Sequence, residues 1–152
     1  MLAIEKVDHV GIRVSDKATA IAFYESLGFR LITDVGFDQG RPVILQHASG
    51  EVLDLLGPAD ETPTENVLMD IETKHAGITH VSYKVESIEV AKTFLESAGI
   101  PLSGEFTFKG LHAIFIRNPD RNVIELDGYE GDEPDTRRAS SRDHFSGYDD
   151  HP

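Results

Sequence analysis

The stretch Asp8-His9-Val10-Gly11-Ile12-Arg13-Val14 decides the fold, because the chain repeats it. Its branched apolar residues predict a β-strand, and 71 residues later Thr79-His80-Val81-Ser82-Tyr83-Lys84-Val85 predicts another. The same offset, without a gap, relates two further pairs of stretches: Phe23–Phe29 with Phe94–Ile100, and Glu51–Leu55 with Asn122–Leu126. Self-similarity at a fixed period indicates an internal duplication of one supersecondary unit.

Each copy predicts the element order β-α-β-β-β. In the first copy, a strand from Ile4 to Val14 precedes a helix that Ser15 or Asp16 can cap and that Gly28 ends. The remaining predicted elements are strands 29–34, 42–47 and 52–56 of the first copy, and strand 78–85, helix 87–97 and strands 102–106, 112–117 and 123–127 of the second. The apolar positions of the second helix predict four buried residues: Val90, Ala91, Phe94 and Leu95.

The pattern predicts a single α+β domain over residues 1–128, made of two tandem modules at 3–57 (module 1) and 78–128 (module 2). The linker 58–77 contains two prolines and is expected to be irregular. Residues 129–152 are rich in charged and small residues, so an acidic flexible tail is expected. Each module has one helix to cover one face of a four-stranded sheet, so the other face requires the other module or a ligand as its cover.

Composition narrows the classes of partner. The formal charge of −13 argues against nucleic acid or an anionic membrane surface as the partner. The absence of cysteine excludes disulfides and thiolate metal sites, so any metal would have nitrogen and oxygen ligands. No apolar run approaches the roughly 20 residues of a membrane span, and the N-terminus lacks the apolar stretch of a signal peptide. A cytoplasmic protein that acts on a small molecule is expected.

Two histidines occupy equivalent positions in the repeat. Side chains alternate between the faces of a strand, so His9 shares a face with Gly11 and Arg13, opposite the apolar residues that would pack on the helix. His80 lies in the same way. A single histidine of this kind is more often one whose ring nitrogens bond the backbone, but two at matched positions favour a ligand role.

Asp54 and Glu125 each follow a histidine by 45 residues and lie among apolar neighbours. A buried carboxylate costs several kcal/mol unless it is paired or bound to a metal. Pairing with Arg13 or Lys84, or exposure on a sheet face, is the alternative for either acid alone. Two imidazoles and two carboxylates at equal spacings favour a quasi-symmetric site for a divalent ion such as Zn, Ni, Co, Mn or Fe(II).

These motifs resemble the vicinal oxygen chelate superfamily, the group of glyoxalases, bleomycin-resistance proteins and extradiol dioxygenases. The stretches that carry the resemblance are Asp8–Ile12 and Phe23–Phe29 in the first copy, and Thr79–Val81 and Asn118–Leu126 in the second. The last of these is similar to the family pattern Asp-Pro-Asp-Gly-Asn-x-x-Glu-Leu. The resemblance implies a homodimer and paired modules that form a cupped mixed sheet around one metal, with four ligands: His9, Asp54, His80 and Glu125.

Within this family, the ligand set is most similar to that of lactoylglutathione lyase. The resemblance implies a lyase or isomerase of glyoxalase type that acts on a small oxygen-chelating substrate through a metal-bound ene-diolate. Glu125 would be the mobile base and Asp54 the second acid–base group, while Arg13 and Lys109 would bind anionic groups of glutathione, a candidate co-substrate. The chain departs from the family pattern in having Asp54 for glutamate, Pro58 for asparagine, and Asn118 and Arg121 in the turn of module 2.

Three other functions stay open from the sequence. An Fe(II) extradiol-type dioxygenase would need only His9, His80 and Glu125, with His47 or His112 as an acid–base group. An acyl-CoA epimerase is a further metal-dependent enzyme of this kind. A non-catalytic drug-binding protein would not need the metal ligands, and its pocket could be lined by Gln46, Tyr83, Phe106 and Phe115.

Overall fold

The computed structural model describes residues 1–131 and places each half of the chain in its own four-stranded mixed sheet. The first half contains β1 Val10–Arg13, α1 Lys17–Ser26, β2 Phe29–Thr33, β3 Val43–His47 and β4 Val52–Leu56. The second half contains β5 His80–Lys84, α2 Ile88–Ser97, β6 Gly104–Phe108, β7 Leu111–Arg117 and β8 Val123–Tyr129. The sheet orders are β1-β4-β3-β2 and β5-β8-β7-β6, with β1 parallel to β4 and β5 parallel to β8. The predicted α+β fold of two tandem β-α-β-β-β modules is therefore confirmed.

Side chains cap the first turns of both helices, and glycines follow their last turns. The Asp16 carboxylate accepts a hydrogen bond at 2.8 Å from a backbone N–H of the first turn, so Asp16 rather than Ser15 caps α1. Ser87 Oγ accepts an equivalent bond at 3.3 Å and caps α2. Gly28 and Gly99 have positive φ angles of 96° and 68°, a backbone conformation that residues with a Cβ rarely adopt. These local signals place each helix where the sequence predicted it.

Helix α2 buries only part of the side that the apolar pattern predicted: Leu95 is buried and Ala91 packs against the core. Ile88 and Leu95 are buried, but Val90 and Phe94 are 69% and 43% exposed. Successive residues of a helix are separated by about 100°, so Val90 and Phe94 lie at least that far round the axis from Leu95. The apolar stripe of α2 is therefore wider than the part of it that packs on the sheet, and the predicted burial of Val90 and Phe94 is wrong.

The first strand begins later than the sequence predicted. Residues 1–9 lie outside β1 and are exposed. In the register that pairs Val10 with Leu53, residues before His9 extend beyond the first residue of β4, where the chain turns at 48–50. The apolar N-terminal residues therefore have no strand to pair with in the part of the chain that the structure describes.

The turn between β7 and β8 joins the two modules. Asp120 is buried there, and its carboxylate accepts hydrogen bonds from the backbone N–H and the hydroxyl of Ser15, at 3.1 Å and 2.5 Å. Asn118 Nδ2 donates to the Tyr24 hydroxyl at 3.2 Å, and burial raises the pKa of Tyr24 to about 12. The turn thus fixes module 2 against the residue segment just before α1 and against the last turn of α1.

The linker predicted at 58–77 forms neither helix nor strand. The Asp70 carboxylate lies 2.7 Å from Arg117 Nη2, so the linker is tied to module 2 by an ion pair. No helix within residues 1–131 is long and apolar enough to cross a membrane. Strand β8 continues to Tyr129, and residues 132–152 of the predicted tail lie outside the described residues, so the tail and the domain limits stay predictions.

Candidate metal centre

His9 and Asp54 lie side by side on the sheet face of module 1 that is turned away from α1. We call this face of either module its open face. Gly11 pairs with Asp54 in parallel register, and strand alternation puts His9 on the same face as Gly11. His9 Nε2 lies 3.6 Å from Asp54 Oδ2. Leu53 and Leu55 point to the other face and are fully buried, so β4 presents its one carboxylate away from the core.

His80 and Glu125 form the equivalent pair on the open face of module 2. Ser82 pairs with Glu125 across β5 and β8, and His80 precedes Ser82 by two residues. His80 Nε2 lies 2.9 Å from Glu125 Oε2. Glu125 is only 7% exposed, whereas His80 is open to solvent on one side. Each predicted histidine thus lies beside its predicted carboxylate.

The other ring nitrogen of each histidine contacts the residue that precedes it. His9 Nδ1 lies 2.9 Å from Asp8 Oδ2, and His80 Nδ1 lies 2.9 Å from Thr79 Oγ1. The hydrogen bond to Asp8 and the charge of Asp54 raise the pKa of His9. A carboxylate only accepts hydrogen bonds, so Asp8 keeps the ring proton on Nδ1. The lone pair of Nε2 in the neutral ring is then available to bind a metal ion. Outer contacts of this kind orient an imidazole for a metal.

The pKa of Glu125 is raised to near neutral pH. Burial and the neighbouring charge of Asp127 raise the pKa of Glu125 to about 7. Asp127 lies two residues further along β8 on the same face, where its Oδ2 accepts a hydrogen bond from Ser82 Oγ at 2.5 Å. A carboxyl group whose pKa lies near the working pH can both take up and release a proton.

Within one chain, the predicted ligands form two half-sites rather than one site. The first consists of His9 and Asp54, and the second of His80 and Glu125. Among residues 1–131, no three histidine or acidic side chains lie close enough together to hold a metal ion. The donor set of two Nε2 atoms and two carboxylates fits a divalent ion chemically. A four-ligand centre therefore requires the open faces of module 1 and module 2 to meet.

The two predicted anion-binding residues lie in different surroundings. Arg13 is exposed at the end of β1, on the same open face as His9. Lys109 lies in the turn between β6 and β7 with a left-handed φ of 46°, and its Nζ is 5.1 Å from the centre of the Phe108 ring. Their role in anion binding stays a prediction.

His47 and His112, the acid–base candidates of the dioxygenase alternative, lie on the helix-covered faces. His47 is three residues beyond Ile44, which pairs with Asp54, so strand alternation turns it away from the first half-site. His112 is turned away from the second half-site in the same way, and its Nε2 lies 2.6 Å from Glu105 Oε1. The structure therefore does not bring either histidine to the candidate ligands.

Asp127 is the residue of this site that the sequence reasoning missed. Its equivalent in the first copy is Leu56, so comparison of the two copies does not reveal it. The signal that could have found it is the two-residue period of a strand, which puts Asp127 on the same face as Glu125.

Comparisons with solved structures agree with this architecture. The chain is similar to a glyoxalase/dioxygenase from Nostoc punctiforme, with a TM-score of 0.69 and 20% identity over 86% of this chain and 97% of that one. It is similar to lactoylglutathione lyase from Agrobacterium tumefaciens, with a TM-score of 0.60 and 19% identity over 82% and 93%. It is also similar to an antibiotic-binding protein from a Streptomyces species, with a TM-score of 0.64 and 22% identity over 86% and 100%. At these identities the likeness shows the fold alone.

The family comparison covers most of the chain. No curated protein matches the sequence significantly. The family model of the Glyoxalase/Bleomycin resistance protein/Dioxygenase superfamily matches residues 6–126, a range that includes both half-sites. The chain therefore belongs to the Glyoxalase/Bleomycin resistance protein/Dioxygenase superfamily.

Proposed function

We propose that this chain is a divalent-metal-dependent lyase or isomerase of glyoxalase type, acting on a small substrate with two neighbouring oxygens. The observation that carries the proposal is the matched pair of half-sites, with Nε2-to-carboxylate distances of 3.6 Å in module 1 and 2.9 Å in module 2. Four side chains would hold the ion: His9, Asp54, His80 and Glu125. A bound divalent ion polarises the substrate oxygens and so acidifies the adjacent C–H bond.

The site would be completed by a second copy of the chain. In this homodimer, the open face of module 1 of one protomer meets the open face of module 2 of its partner, which produces two equivalent sites by two-fold symmetry. Two observations support it. The histidine of each half-site is partly exposed, and β1 and β5 are edge strands of separate sheets, each with one unpaired edge within residues 1–131. Exposed strand edges are ready to pair with another chain.

Glu125 would carry the proton in the reaction. Its pKa, raised to about 7 by burial and by Asp127, suits a group that removes a proton from carbon and returns it to the neighbouring atom. Its side chain lies beside His80 Nε2, at the half-site where the substrate oxygens would be held. Asp54 would act as a ligand or as the second acid–base group on the opposite side of the substrate.

Arg13 and Lys109 would bind the anionic end of the substrate. Arg13 is exposed on the same face as the first half-site, and a guanidinium binds a carboxylate with two parallel hydrogen bonds. Lys109 adds a second positive charge from the β6–β7 turn. This arrangement favours glutathione, which carries two carboxylates, as the co-substrate.

Metal uptake tests the proposal directly. Purified protein dialysed against Zn or Ni is expected to hold the ion in a fixed ratio to chains, measured by elemental analysis. His80→Ala is expected to abolish this uptake, and Asp54→Ala to weaken it. His112→Ala is the matched control, because His112 lies on the helix-covered face and bonds Glu105. Protein that holds no metal, and that loses no stability on chelation, would overturn the proposal.

Turnover separates the lyase from its alternatives. Methylglyoxal with glutathione, supplied without oxygen to the Ni- or Zn-loaded protein, is expected to yield the thioester product. Activity that requires both Fe(II) and oxygen would indicate the dioxygenase instead. A ligand that binds and is recovered unchanged would indicate the drug-binding alternative. Full metal content and turnover in Asp54→Ala would show that Asp54 is not one of the ligands.

A further inference from the structure

Phenylalanines line the open face of module 2 beside the second half-site. Phe115 on β7 pairs with Glu125 on β8, so the two side chains lie next to each other on the same face. On the adjacent strand β6, Phe106 and Phe108 fall on this face as well, and they are 37% and 38% exposed. Contiguous exposed apolar surface with polar groups at its rim is a feature of ligand-binding grooves and of protein interfaces.

The rings are arranged in contact with the half-site. The Phe115 ring meets the His80 ring edge-on, with 6.4 Å between centroids and 89° between planes. The Phe106 ring lies nearly parallel to that of Phe115, at 6.0 Å and 20°. Gly104 on β6 pairs with Phe115 on β7, and a Cβ at Gly104 would lie 3.4 Å from the Phe115 ring. Glycine at this position therefore leaves one side of the Phe115 ring uncovered.

Module 1 has no aromatic counterpart of Phe106 or Phe115; the residue equivalent to Phe106 is Val35. The residue equivalent to Phe115 is Ile44, which pairs with Asp54 as Phe115 pairs with Glu125. The aromatic surface therefore distinguishes two otherwise similar half-sites, and the duplication alone does not account for it.

We propose that Phe106 and Phe115 form an aromatic wall that binds a flat aromatic group of the substrate. The substrate class is then an aromatic compound with two neighbouring oxygens, such as the glutathione adduct of an aryl ketoaldehyde, rather than an aliphatic one. This inference rests on the proposed function, because a metal held by His80, Glu125 and the other proposed ligands would bind the two oxygens beside these rings. Aromatic groups prefer stacked or edge-on arrangements with ring centroids about 4.5–7 Å apart. Phe115 contacts the His80 ring in this way, and Phe106 contacts Phe115, so the wall begins at the half-site.

A pair of inert chelators tests the wall without turnover. Benzohydroxamate and acetohydroxamate offer a metal the same two oxygens and differ only in a phenyl or a methyl group. Calorimetric titration of the Zn-loaded protein is expected to show about tenfold tighter binding of benzohydroxamate, the effect of one aromatic contact. Phe106→Ala is expected to remove most of this preference while metal content and acetohydroxamate binding stay the same. Phe94→Ala is the matched control, because Phe94 is a similarly exposed phenylalanine on α2.

The outcomes separate this inference from the proposed function. Protein that takes up metal but binds both hydroxamates equally, or a preference that survives in Phe106→Ala, overturns the aromatic wall and leaves the metal site standing. Protein that takes up no metal overturns the proposed function, and the inference falls with it. A parallel assay completes the test: kcat/KM for the phenylglyoxal adduct should fall about tenfold in Phe106→Ala, while that for the methylglyoxal adduct should change by less than about twofold.

Discussion

The two half-sites differ at the level of single residues. Glu125 reaches to 2.9 Å from His80 Nε2, whereas Asp54, one methylene shorter, stays 3.6 Å from His9 Nε2. Glu125 is also buried beside Asp127, while Asp54 has no second acid at the equivalent neighbouring position, which is Leu56. The duplication thus provides two similar pairs of donors, and only in module 2 does a second acid, Asp127, lie beside the carboxyl of the pair and raise its pKa.

The pKa of Glu125 predicts how the stability of the metal-free protein depends on pH. The folded pKa of about 7 lies above the unfolded value of 4.5, so the folded state binds more protons between these two values. The free energy of unfolding should therefore fall as pH rises from about 5 to 8, by roughly 2–3 kcal/mol. Glu125→Gln should remove this loss, because the amide does not ionise, and the variant should be more stable than the wild type at pH 8.

Urea unfolding with a chelator present, at pH 5 and pH 8, measures this slope. Glu130→Gln serves as the control, because Glu130 is exposed just beyond the same strand and should leave the slope unchanged. An identical pH slope in the wild type and in Glu125→Gln would show that Glu125 is not the group that titrates.

At the scale of the elements, local signals placed the strands and helices and left their burial open. Asp16, Ser87 and the glycines after each helix are short-range features that act on the backbone directly, so they could be predicted from the sequence. The burial of Tyr24 could not, because it depends on a hydrogen bond to Asn118 of the other module. The exposure of Val90 and Phe94 likewise depends on how α2 is rotated over its sheet.

Gly28 gives an element-scale prediction with a built-in control. Gly28 and Gly50 share a φ of 96°, but a Cβ on Gly28 would lie 3.1 Å from His47 Nε2, whereas one on Gly50 would have nothing within 4 Å. Gly50→Ala should therefore cost only the left-handed strain, about 1–2 kcal/mol. Gly28→Ala should cost more, because the His47 ring packs on Phe29 and must move. Thermal unfolding of both variants measures the difference, and equal losses would show that His47 yields freely.

For the whole molecule, the sequence could predict which four candidate ligand residues fall in two equivalent pairs, but not how the two pairs are arranged in space. The repeat shows that His9 corresponds to His80 and Asp54 to Glu125, and the strand period puts each pair on one face. The way in which the two modules pack depends on long-range contacts, such as that of Asp120 with Ser15, which no periodicity encodes. These contacts hold the half-sites apart within one chain, so the proposed centre depends on a second copy.

Mixing two variants that are each expected not to bind metal tests this dependence on a second copy. In a dimer whose sites combine module 1 of one protomer with module 2 of its partner, His9→Ala and His80→Ala damage different modules. A mixed dimer then has one site with both changes and one intact site. Random reassortment of equal amounts, by joint unfolding and refolding, should therefore restore metal binding to about a quarter of the wild-type level.

A second mixture is the matched control for this experiment. His9→Ala and Asp54→Ala both damage module 1, so every site of their mixed dimer carries a defect and metal binding should not rise above the mean of the two separate variants. Elemental analysis of the dimer fraction measures the metal, and native mass spectrometry of chains with different tags confirms that mixed dimers have formed. If mixed dimers of the first pair hold no metal, the two half-sites do not meet across the dimer. Cross-subunit assembly predicts recovery only when the two substitutions lie in different modules, because only then does one site receive two undamaged open faces.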